Sequence, residues 1–533
     1  MHRKTLVPTT VAALLAAAPA GCGTPQDAAD GAATVVVGTT DHVAATKDAP
    51  APLDPAVAYE AGVWNVLRQT QQTLLHIPRG GGEPVPEAAS GCRFTDHQNE
   101  SYRCTLRTGL TFSDGTPLTP EDVAYSLRRV LAVKSPAGPA ALLDNIDTIE
   151  TRGEHEIVFH LRAPDATFPY KLATPAAGIV PRDSYPAASV REGLQVDGSG
   201  PYTMKAEARG GEVSRIVFTR NPRYKGDLEV RNEKVALDFF RDARQMGAAL
   251  DDEKIDVMGR TLSPEQSEKL TEQPEEGVEL TEIPGLAISY LAFDTDDPAV
   301  KNKAVRQAVA QLVDRDDISA EVYGSTTEPL YSLIPSGITG HTNAFFNTYG
   351  EPSVTKAADI LRSAGISTPV RFTLHYAKDH YGAATATEFK ALAKQLNDSG
   401  LFDVTARGTD WSTYRPAQMR GEYAVYGMGW FPDYPDPDNY TTPFLDAGNF
   451  LNSPYTSTET RTVLLPQTRR EADRSATTAA FGRIQQIVAT DVPVLPIWQG
   501  KSYLAARDGV TGVEWAFTAS ADLRLWELGA APR

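Results

Sequence analysis

Apolar residues recur along the chain in the two spacings that distinguish strands from helices. The β-branched run at 35–37 predicts a first buried strand, and alternation over 372–376 predicts another. Apolar residues at three-four spacing over 304–313 predict a helix with one buried face. Thr119 indicates a helix start, because a capping hydroxyl there precedes a proline and two acids. Strands that alternate with helices of about 10 to 15 residues indicate an α/β fold.

Composition narrows the class of protein. The chain has 533 residues, a formal net charge of −17 and 41% apolar residues, which is typical of a globular protein with two or three domains. The acidic balance argues against nucleic-acid binding, which needs a basic surface. No apolar run in the sequence approaches the roughly 18 residues of a membrane-spanning helix.

The N-terminus has the pattern of an export signal. A short basic segment precedes apolar residues at 11–18 and then a run of small residues. We expect residues 1–21 to be a signal peptide, and residues 22–33 to be a flexible tether. Ala20 and the two residues after it resemble the lipobox of bacterial lipoproteins, which implies a lipid anchor on Cys22. Cleavage after Ala20 without lipidation is the alternative.

The two remaining cysteines fit a disulfide. Cys92 and Cys104 lie in short alternating segments on either side of a polar turn at 96–100. Export would place both thiols where disulfides persist. Two unpaired thiols are the alternative, and a metal site is disfavoured because His97 is the only imidazole nearby.

Common catalytic and metal-binding motifs do not occur in the sequence. It contains neither the His-Glu-x-x-His pair of zinc peptidases nor the Gly-x-Ser-x-Gly turn of serine hydrolases. Ser353 and Lys356 have the spacing of a penicillin-binding nucleophile and its lysine, but the companion motifs are missing. Asp436 and Asp438 begin a calcium-like spacing that the following residues do not complete. We therefore expect no catalytic residue, metal or cofactor.

Six segments occur in the order that is typical of one known family. They are Phe112–Ser126, Gly198–Tyr202, Arg220–Tyr224, Val305–Arg315, Trp430–Asn439 and Pro493–Ile497. Together they resemble the extracellular solute-binding proteins of family 5, which are the peptide-, dipeptide- and nickel-binding components of ATP-binding-cassette (ABC) importers.

The resemblance implies an α/β fold of the two-lobed, class II periplasmic-binding-protein type, with an extra α/β domain inserted in lobe I. We expect the chain to cross between lobes near Pro284 and again near 505–508, which would form a hinge. The expected parts are lobe I at 34–70, 198–284 and 508–533, the inserted domain at 71–197, and lobe II at 285–507.

The resemblance also implies a ligand site. In peptide-binding relatives, the aspartate three residues after the tryptophan of the Trp430–Asn439 segment pairs with the ligand α-ammonium, which here is Asp433. A carboxylate–ammonium contact in a closed cleft is only weakly screened. Asp436 and Asp438 are expected to cap turns instead. The other expected ligand-binding residues are Trp430, Phe431, Tyr434, Trp411, Tyr414, Tyr59 and Trp64.

The resemblance therefore predicts a monomeric receptor outside the cell, tethered to the membrane through Cys22. It would capture an oligopeptide or peptide-like solute and deliver it to the permease and ATPase subunits of an importer, with no nucleic-acid partner. We identify no residue for a ligand carboxylate, so nickel complexes, haem, oligosaccharides and opine-like molecules stay open as ligands. An exported hydrolase and a sensory or adhesive protein that reuses the fold are the alternative functions.

Overall fold

The structure, a computed structural model, describes residues 34–136, 138–259 and 262–530. The expected signal peptide, tether and lipidated Cys22 lie outside the described residues. The strands are β1 (Val35–Thr39), β2 (Leu75–His76), β3 (Val85–Pro86), β4 (Ala89–Phe94), β5 (Ser101–Leu106), β6 (Ile146–Arg152), β7 (Glu156–Leu161), β8 (Tyr202–Arg209), β9 (Glu212–Arg220), β10 (Lys234–Phe239), β11 (Val257–Met258), β12 (Val278–Phe293), β13 (Thr327–Pro329), β14 (Val370–Ala377), β15 (Phe402–Thr409), β16 (Val425–Trp430), β17 (Val494–Arg507), β18 (Val510–Thr511) and β19 (Gly529–Ala530).

The α-helices fall between these strands. They are α1 (Ala61–Thr70), α2 (Pro120–Val133), α3 (Ala140–Leu143), α4 (Phe168–Lys171), α5 (Ala243–Asp251), α6 (Pro264–Glu272), α7 (Lys303–Leu312), α8 (Arg315–Ile318), α9 (Ala344–Tyr349), α10 (Val354–Ser363), α11 (Thr385–Asp398), α12 (Trp411–Met419), α13 (Thr442–Leu445), α14 (Leu465–Arg470), α15 (Thr478–Asp491) and α16 (Val513–Ala516). None of the described helices is long and apolar enough to cross a membrane.

One mixed sheet runs through most of the molecule. Its strand order is β15-β14-β16-β12-β17-β11-β1-β10-β9-β8, and β13 also pairs with β17. Parallel pairs, such as β1 with β10 and β14 with β15, occur near the two ends. In the middle, β12 pairs antiparallel with both β16 and β17. The mixed sheet covered by helices confirms the predicted α/β fold.

Two hydrophobic cores are packed on different parts of this sheet. One contains residues between Leu286 and Ile497, including the buried face of α7. The other contains residues of β1, α1 and the segments up to Ile283, and it continues at Leu504. The chain thus passes between the cores twice, on β12 and on β17. This arrangement confirms the predicted two-lobed fold.

The paired strands β12 and β17 join the two cores. Their register runs from Val278 opposite Arg507 to Ala292 opposite Val494, and it is interrupted between Pro284 and Ile288. At this interruption a Cβ on Gly285 would lie 2.4 Å from the carbonyl oxygen of Gly500, so only glycine fits without a shift of the backbone.

A separate antiparallel sheet, in the order β4-β5-β7-β6, packs with α2 against the core that contains β1. The helix start predicted at Thr119 is confirmed, since the Asp122 carboxylate accepts a hydrogen bond of 2.9 Å from the Thr119 backbone amide. In this sheet Cys92 lies opposite Cys104, and the structure joins them in a disulfide with the Cα atoms 4.1 Å apart.

Candidate functional site

Residues 430–440 begin at the last residue of β16 and form a loop, which is called the aspartate loop below. Asn439, in the short helical turn that ends it, holds its first half in place. The Asn439 Oδ1 atom accepts hydrogen bonds from the Asp433 backbone amide at 3.0 Å and from the Trp430 indole at 3.3 Å. The Asn439 Nδ2 atom donates to Asp433 Oδ2 at 3.2 Å. One amide side chain therefore fixes both the tryptophan and the carboxylate.

Asp433 receives a second hydrogen bond from the other lobe. The Tyr59 hydroxyl donates to Asp433 Oδ2 at 3.2 Å. Tyr59 lies just before α1, and its ring packs against Trp64 with the centroids 5.5 Å apart. Trp64 is buried, and its indole donates to the Ala58 carbonyl at 2.9 Å, which holds this short segment in place. Asp433 thus sits where the two lobes meet.

The electrostatic environment of Asp433 leaves its charge without a direct partner. Burial raises the pKa of this carboxyl to about 6, although the hydrogen bonds from Asn439 and Tyr59 act in the opposite direction. In the described part of the chain, no cationic side chain forms an ion pair with Asp433. Lys171 contributes a longer-range attraction, but its ammonium already bonds to Asp165 at 2.7 Å.

The two other acids of the aspartate loop are enclosed in the protein. Asp436 is 1% exposed and forms a bidentate ion pair with Arg474, with both N–O distances 2.7 Å. It also caps the helical turn by accepting a hydrogen bond from the Asp438 amide at 2.8 Å, as expected. Asp438 is 4% exposed and accepts a hydrogen bond from the Thr442 hydroxyl at 2.7 Å. Asp433, which is half-buried, is the most exposed of the three acids.

The aromatic residues of the aspartate loop differ in exposure. Trp430 is 7% exposed and its ring packs against Phe444 and Phe450, with centroid distances of 5.4 and 5.2 Å. Phe431 is 47% exposed. Tyr434 is buried in the core of the opposite lobe, where its ring lies 5.9 Å from that of Tyr170. The loop therefore contributes both to contacts between lobes and to an exposed surface.

Trp411 and Tyr414 lie on α12, in the same lobe as the aspartate loop but with no hydrogen bond to Asp433. Trp411 stacks on His380 with a centroid distance of 3.9 Å. Tyr414 is 0% exposed, and its hydroxyl donates to the Gly427 carbonyl at 2.8 Å. Tyr414 thus supports the strand that leads into the aspartate loop.

Two residues that organise this site were not among those predicted from the sequence. Asn439 lies inside the motif, where an amide surrounded by turn residues gives a weak signal. Arg474 is separated from its partner Asp436 by 38 residues, and no local pattern connects them.

Comparison with known proteins identifies the family of this chain. The family model described as bacterial extracellular solute-binding proteins, family 5 Middle, matches residues 83–452, which is more than half of the chain. The chain belongs to this family. The resemblance predicted from the sequence motifs is therefore confirmed.

Curated relatives match along most of the chain. A probable D,D-dipeptide-binding periplasmic protein, DdpA of Escherichia coli, is 26% identical over 480 residues, which cover 87% of this chain and 89% of that protein. The periplasmic murein peptide-binding protein MppA of Escherichia coli is 26% identical over 503 residues, with the same two coverages. Both relatives are named as binding proteins.

Solved structures of the family show the same fold. OppA of Haemophilus influenzae, in complex with RPPGFSPFR, matches with a TM-score of 0.75 at 20% identity. The match covers 94% of this chain and 100% of that one. The unliganded open form of MppA matches with a TM-score of 0.74, also at 20% identity.

Proposed function

We propose that this chain is the extracytoplasmic substrate-binding component of an ABC importer. Its ligand is a peptide or peptide-like solute with a free ammonium group, captured between the two lobes. The observation that supports this most strongly is the half-buried Asp433 carboxylate, which lies between the lobes without an ion-pair partner in the described structure. Relatives that are named as peptide-binding proteins support the same ligand class.

An ammonium group is the ligand feature that this environment favours. A carboxylate removed from water costs free energy unless a cation or several donors compensate it. Asp433 has two neutral donors, Asn439 and Tyr59, at 3.2 Å each. A ligand ammonium would add a charge-assisted bond, which is roughly twice as strong as a neutral one.

The position of Asp433 also suggests how binding favours closure of the lobes. Tyr59 belongs to one lobe and the aspartate loop to the other, so a ligand on Asp433 contacts groups that separate when the lobes open. A ligand that touches both lobes binds the closed form more tightly and shifts the population towards it. Phe431 and the edge of Trp430 would form the apolar wall of the site. We also propose the lobe boundaries expected from the sequence, with lobe I at 34–70, 198–284 and 508–533, the inserted domain at 71–197 and lobe II at 285–507.

The location and assembly form the second part of the proposal. We infer export by the N-terminal signal, attachment to the cell membrane through a lipid on Cys22, and function as a monomer that docks on permease subunits. Periplasmic relatives support export. Radiolabelled palmitate incorporation tests the anchor, with Cys22→Ser as the variant that must lose the label.

Mass spectrometry of the ligand that co-purifies with the protein tests the proposed function. Native spectra of the wild-type protein are expected to show a non-covalent adduct. Denaturation should release this adduct as an amine-containing molecule. The mass of the molecule should stay the same when the complex is incubated for a long time before denaturation. Asp433→Asn should lose the adduct. Asp183→Asn, which changes an exposed acid in the 138–259 segment, should keep it. Release of hydrolysed products, or an adduct without an amine, would contradict the proposal.

A further inference from the structure

A short segment of the chain lies beside the place where β12 and β17 cross between the two cores. Residues 324–329, called the hinge strap below, form a short helical turn and then β13. β13 pairs antiparallel with β17, where Thr327 is opposite Gly500. The residues that flank the hinge strap, Tyr323 and Leu330, lie in the core that contains α7. The hinge strap therefore belongs to that lobe.

A lysine at the crossing joins the hinge strap to β12. Lys501 is opposite Pro284, next to the interruption in the register of the two strands. Its ammonium lies 3.0 Å from Glu282 Oε1 and 3.3 Å from Glu328 Oε1. Glu282 precedes the crossing on β12, and Glu328 lies on the hinge strap. The side chain of Lys501 is 20% exposed, so solvent ions screen this attraction less than that of a fully exposed pair.

A tyrosine beyond the crossing makes a second contact with the hinge strap. Tyr503 is 6% exposed and is opposite Glu282 in the paired strands. Its hydroxyl lies 2.8 Å from the Ser325 carbonyl oxygen and 3.0 Å from Glu282 Oε2, and it can donate its one hydrogen to either. Leu504, the next residue, lies in the core that contains β1. The Tyr503 hydroxyl therefore connects that lobe to a backbone carbonyl of the other.

These contacts span the part of the molecule where we expect the lobes to rotate. Rotation at the register interruption would move the hinge strap with the core that contains α7, while Tyr503 would stay with the core that contains β1. The residues in these contacts are different from those that surround Asp433. A change in the hinge strap can therefore alter the relation of the lobes without altering the groups that would bind a ligand.

We propose that the hinge strap, through its contacts with Lys501 and Tyr503, stabilises the closed arrangement of the lobes at a place that the ligand does not touch. The inference rests on the two-lobed fold and goes beyond the proposed function, because it assigns part of the closure equilibrium to the protein itself. One hydrogen bond typically changes an equilibrium constant by about two- to tenfold. Contacts that favour the closed form increase the fraction of protein that can bind, and thereby the apparent affinity for any ligand.

Small-angle X-ray scattering of the dialysed, ligand-free protein tests this inference, because the radius of gyration increases as the lobes separate. Tyr503→Phe removes only a hydroxyl, and Glu328→Gln removes only a charge. Each variant should have a larger radius of gyration than the wild type, and the double variant should have the largest. Calorimetric titration should show that each single variant binds tri-alanine about two- to tenfold more weakly.

Two matched substitutions in the lobe that contains α7 serve as controls. Tyr455→Phe removes a hydroxyl that donates to Asp491 Oδ2 at 2.9 Å. Glu459→Gln removes the charge of an ion pair with Arg483, in which the N–O distance is 2.8 Å. Both control variants should keep the radius of gyration and the tri-alanine affinity of the wild type. Unchanged far-ultraviolet circular dichroism shows that an increase in radius does not come from unfolding.

The scattering result decides the inference separately from the proposed function. Radii of gyration for Tyr503→Phe, Glu328→Gln and the double variant that are no larger than those of the controls would overturn the inference and leave the proposed function intact. If the radii increase but tri-alanine binds to none of the proteins, the inference is supported while the peptide class of the proposed function fails.

Discussion

At Asp433, opposing effects determine the charge of one carboxyl group. Removal from water disfavours the carboxylate, while the donors Asn439 and Tyr59 and the distant Lys171 favour it. Burial is the largest effect, and it raises the pKa to about 6. Burial of the Tyr59 ring, together with the Asp433 carboxylate, raises the pKa of Tyr59. The Tyr59 hydroxyl therefore stays protonated and can donate. Asp433 is thus ionised at neutral pH and loses its charge in mildly acidic solution.

This balance predicts a pH dependence of binding. The α-ammonium of a peptide has a pKa of about 8, so it stays charged over pH 4.5–7, and in that range only loss of the Asp433 charge changes the attraction. The affinity for tri-alanine should be highest near about pH 7 and should fall below about pH 6, by up to about tenfold per unit. Calorimetric titrations over this range measure it. N-acetyl tri-alanine is the control; a parallel decrease for that peptide would show that another group is responsible.

From the sequence, Asp433 and Tyr59 could be proposed as site residues, but not the Asn439 amide that holds the Asp433 carboxylate in place. Asp433 stands at a fixed distance from Trp430 in a recognisable motif. Arg474 gains its significance from its contact with Asp436 in three dimensions, and that information is absent from the local sequence of either residue. Tyr414 illustrates the same limit. An aromatic residue near a turn can face a cleft or a core, and here the ring lies in the core.

Among the elements, β12 and β17 are linked by one buried acid from α11. Glu388 is 2% exposed and accepts hydrogen bonds from the Ser289 hydroxyl of β12 at 3.3 Å and from the Trp498 indole of β17 at 3.0 Å. The Tyr323 hydroxyl also donates to it at 2.7 Å. Ser289 and Trp498 are opposite each other, next to a shift in register. Burial raises the pKa of Glu388 to about 7.

The raised pKa predicts how stability changes with pH. The folded state holds the Glu388 proton more tightly than the unfolded state, so its contribution is complete below about pH 4.5 and is lost as pH rises towards 7. Glu388→Gln keeps an acceptor and a similar shape without titrating. The unfolding free energy of the wild type, relative to this variant, should fall by on the order of 3 kcal/mol between pH 4.5 and 8. Urea titrations at both pH values test this; a difference that is independent of pH would contradict it.

The disulfide is a second prediction at the scale of elements. Cys92 and Cys104, 12 residues apart, cross-link β4 and β5. In the chain-entropy model, such a short loop contributes about 3 kcal/mol to stability. Intact-mass measurement after alkylation should show no reaction of these two cysteines without reductant, and reduction should lower the urea midpoint. Two alkylated thiols in the untreated protein would show that the pair is open.

The individual elements could be predicted better than their arrangement. Three-four spacing placed a helix over 304–313, where α7 is Lys303–Leu312, and alternation placed a strand within β14. The order of the mixed sheet could not be derived in this way. The long pairing of β12 with β17 joins residues more than 200 positions apart, and its register depends on packing across both lobes.

At the scale of the whole molecule, the two lobes meet through the aspartate loop and its neighbours. Tyr59 bonds to Asp433, and the Ala166 amide donates to the Arg469 carbonyl at 2.8 Å. Tyr434 enters the opposite core. The lobes are joined covalently through β12 and β17, whose register is interrupted at Pro284, so rotation about this region would separate the contacts around Asp433 and withdraw Tyr434 from the opposite core.

The most direct test of the account compares the affinity of tri-alanine and N-acetyl tri-alanine for wild-type protein and Asp433→Asn at pH 7.5, by calorimetry. If Asp433 holds the ligand ammonium, the substitution weakens tri-alanine binding by about thirtyfold or more, because it leaves a desolvated charge without its partner. The acetylated peptide should change by less than about threefold, and Asp183→Asn should bind both peptides like the wild type. Equal losses for the two peptides, or undiminished binding of tri-alanine, would contradict the account.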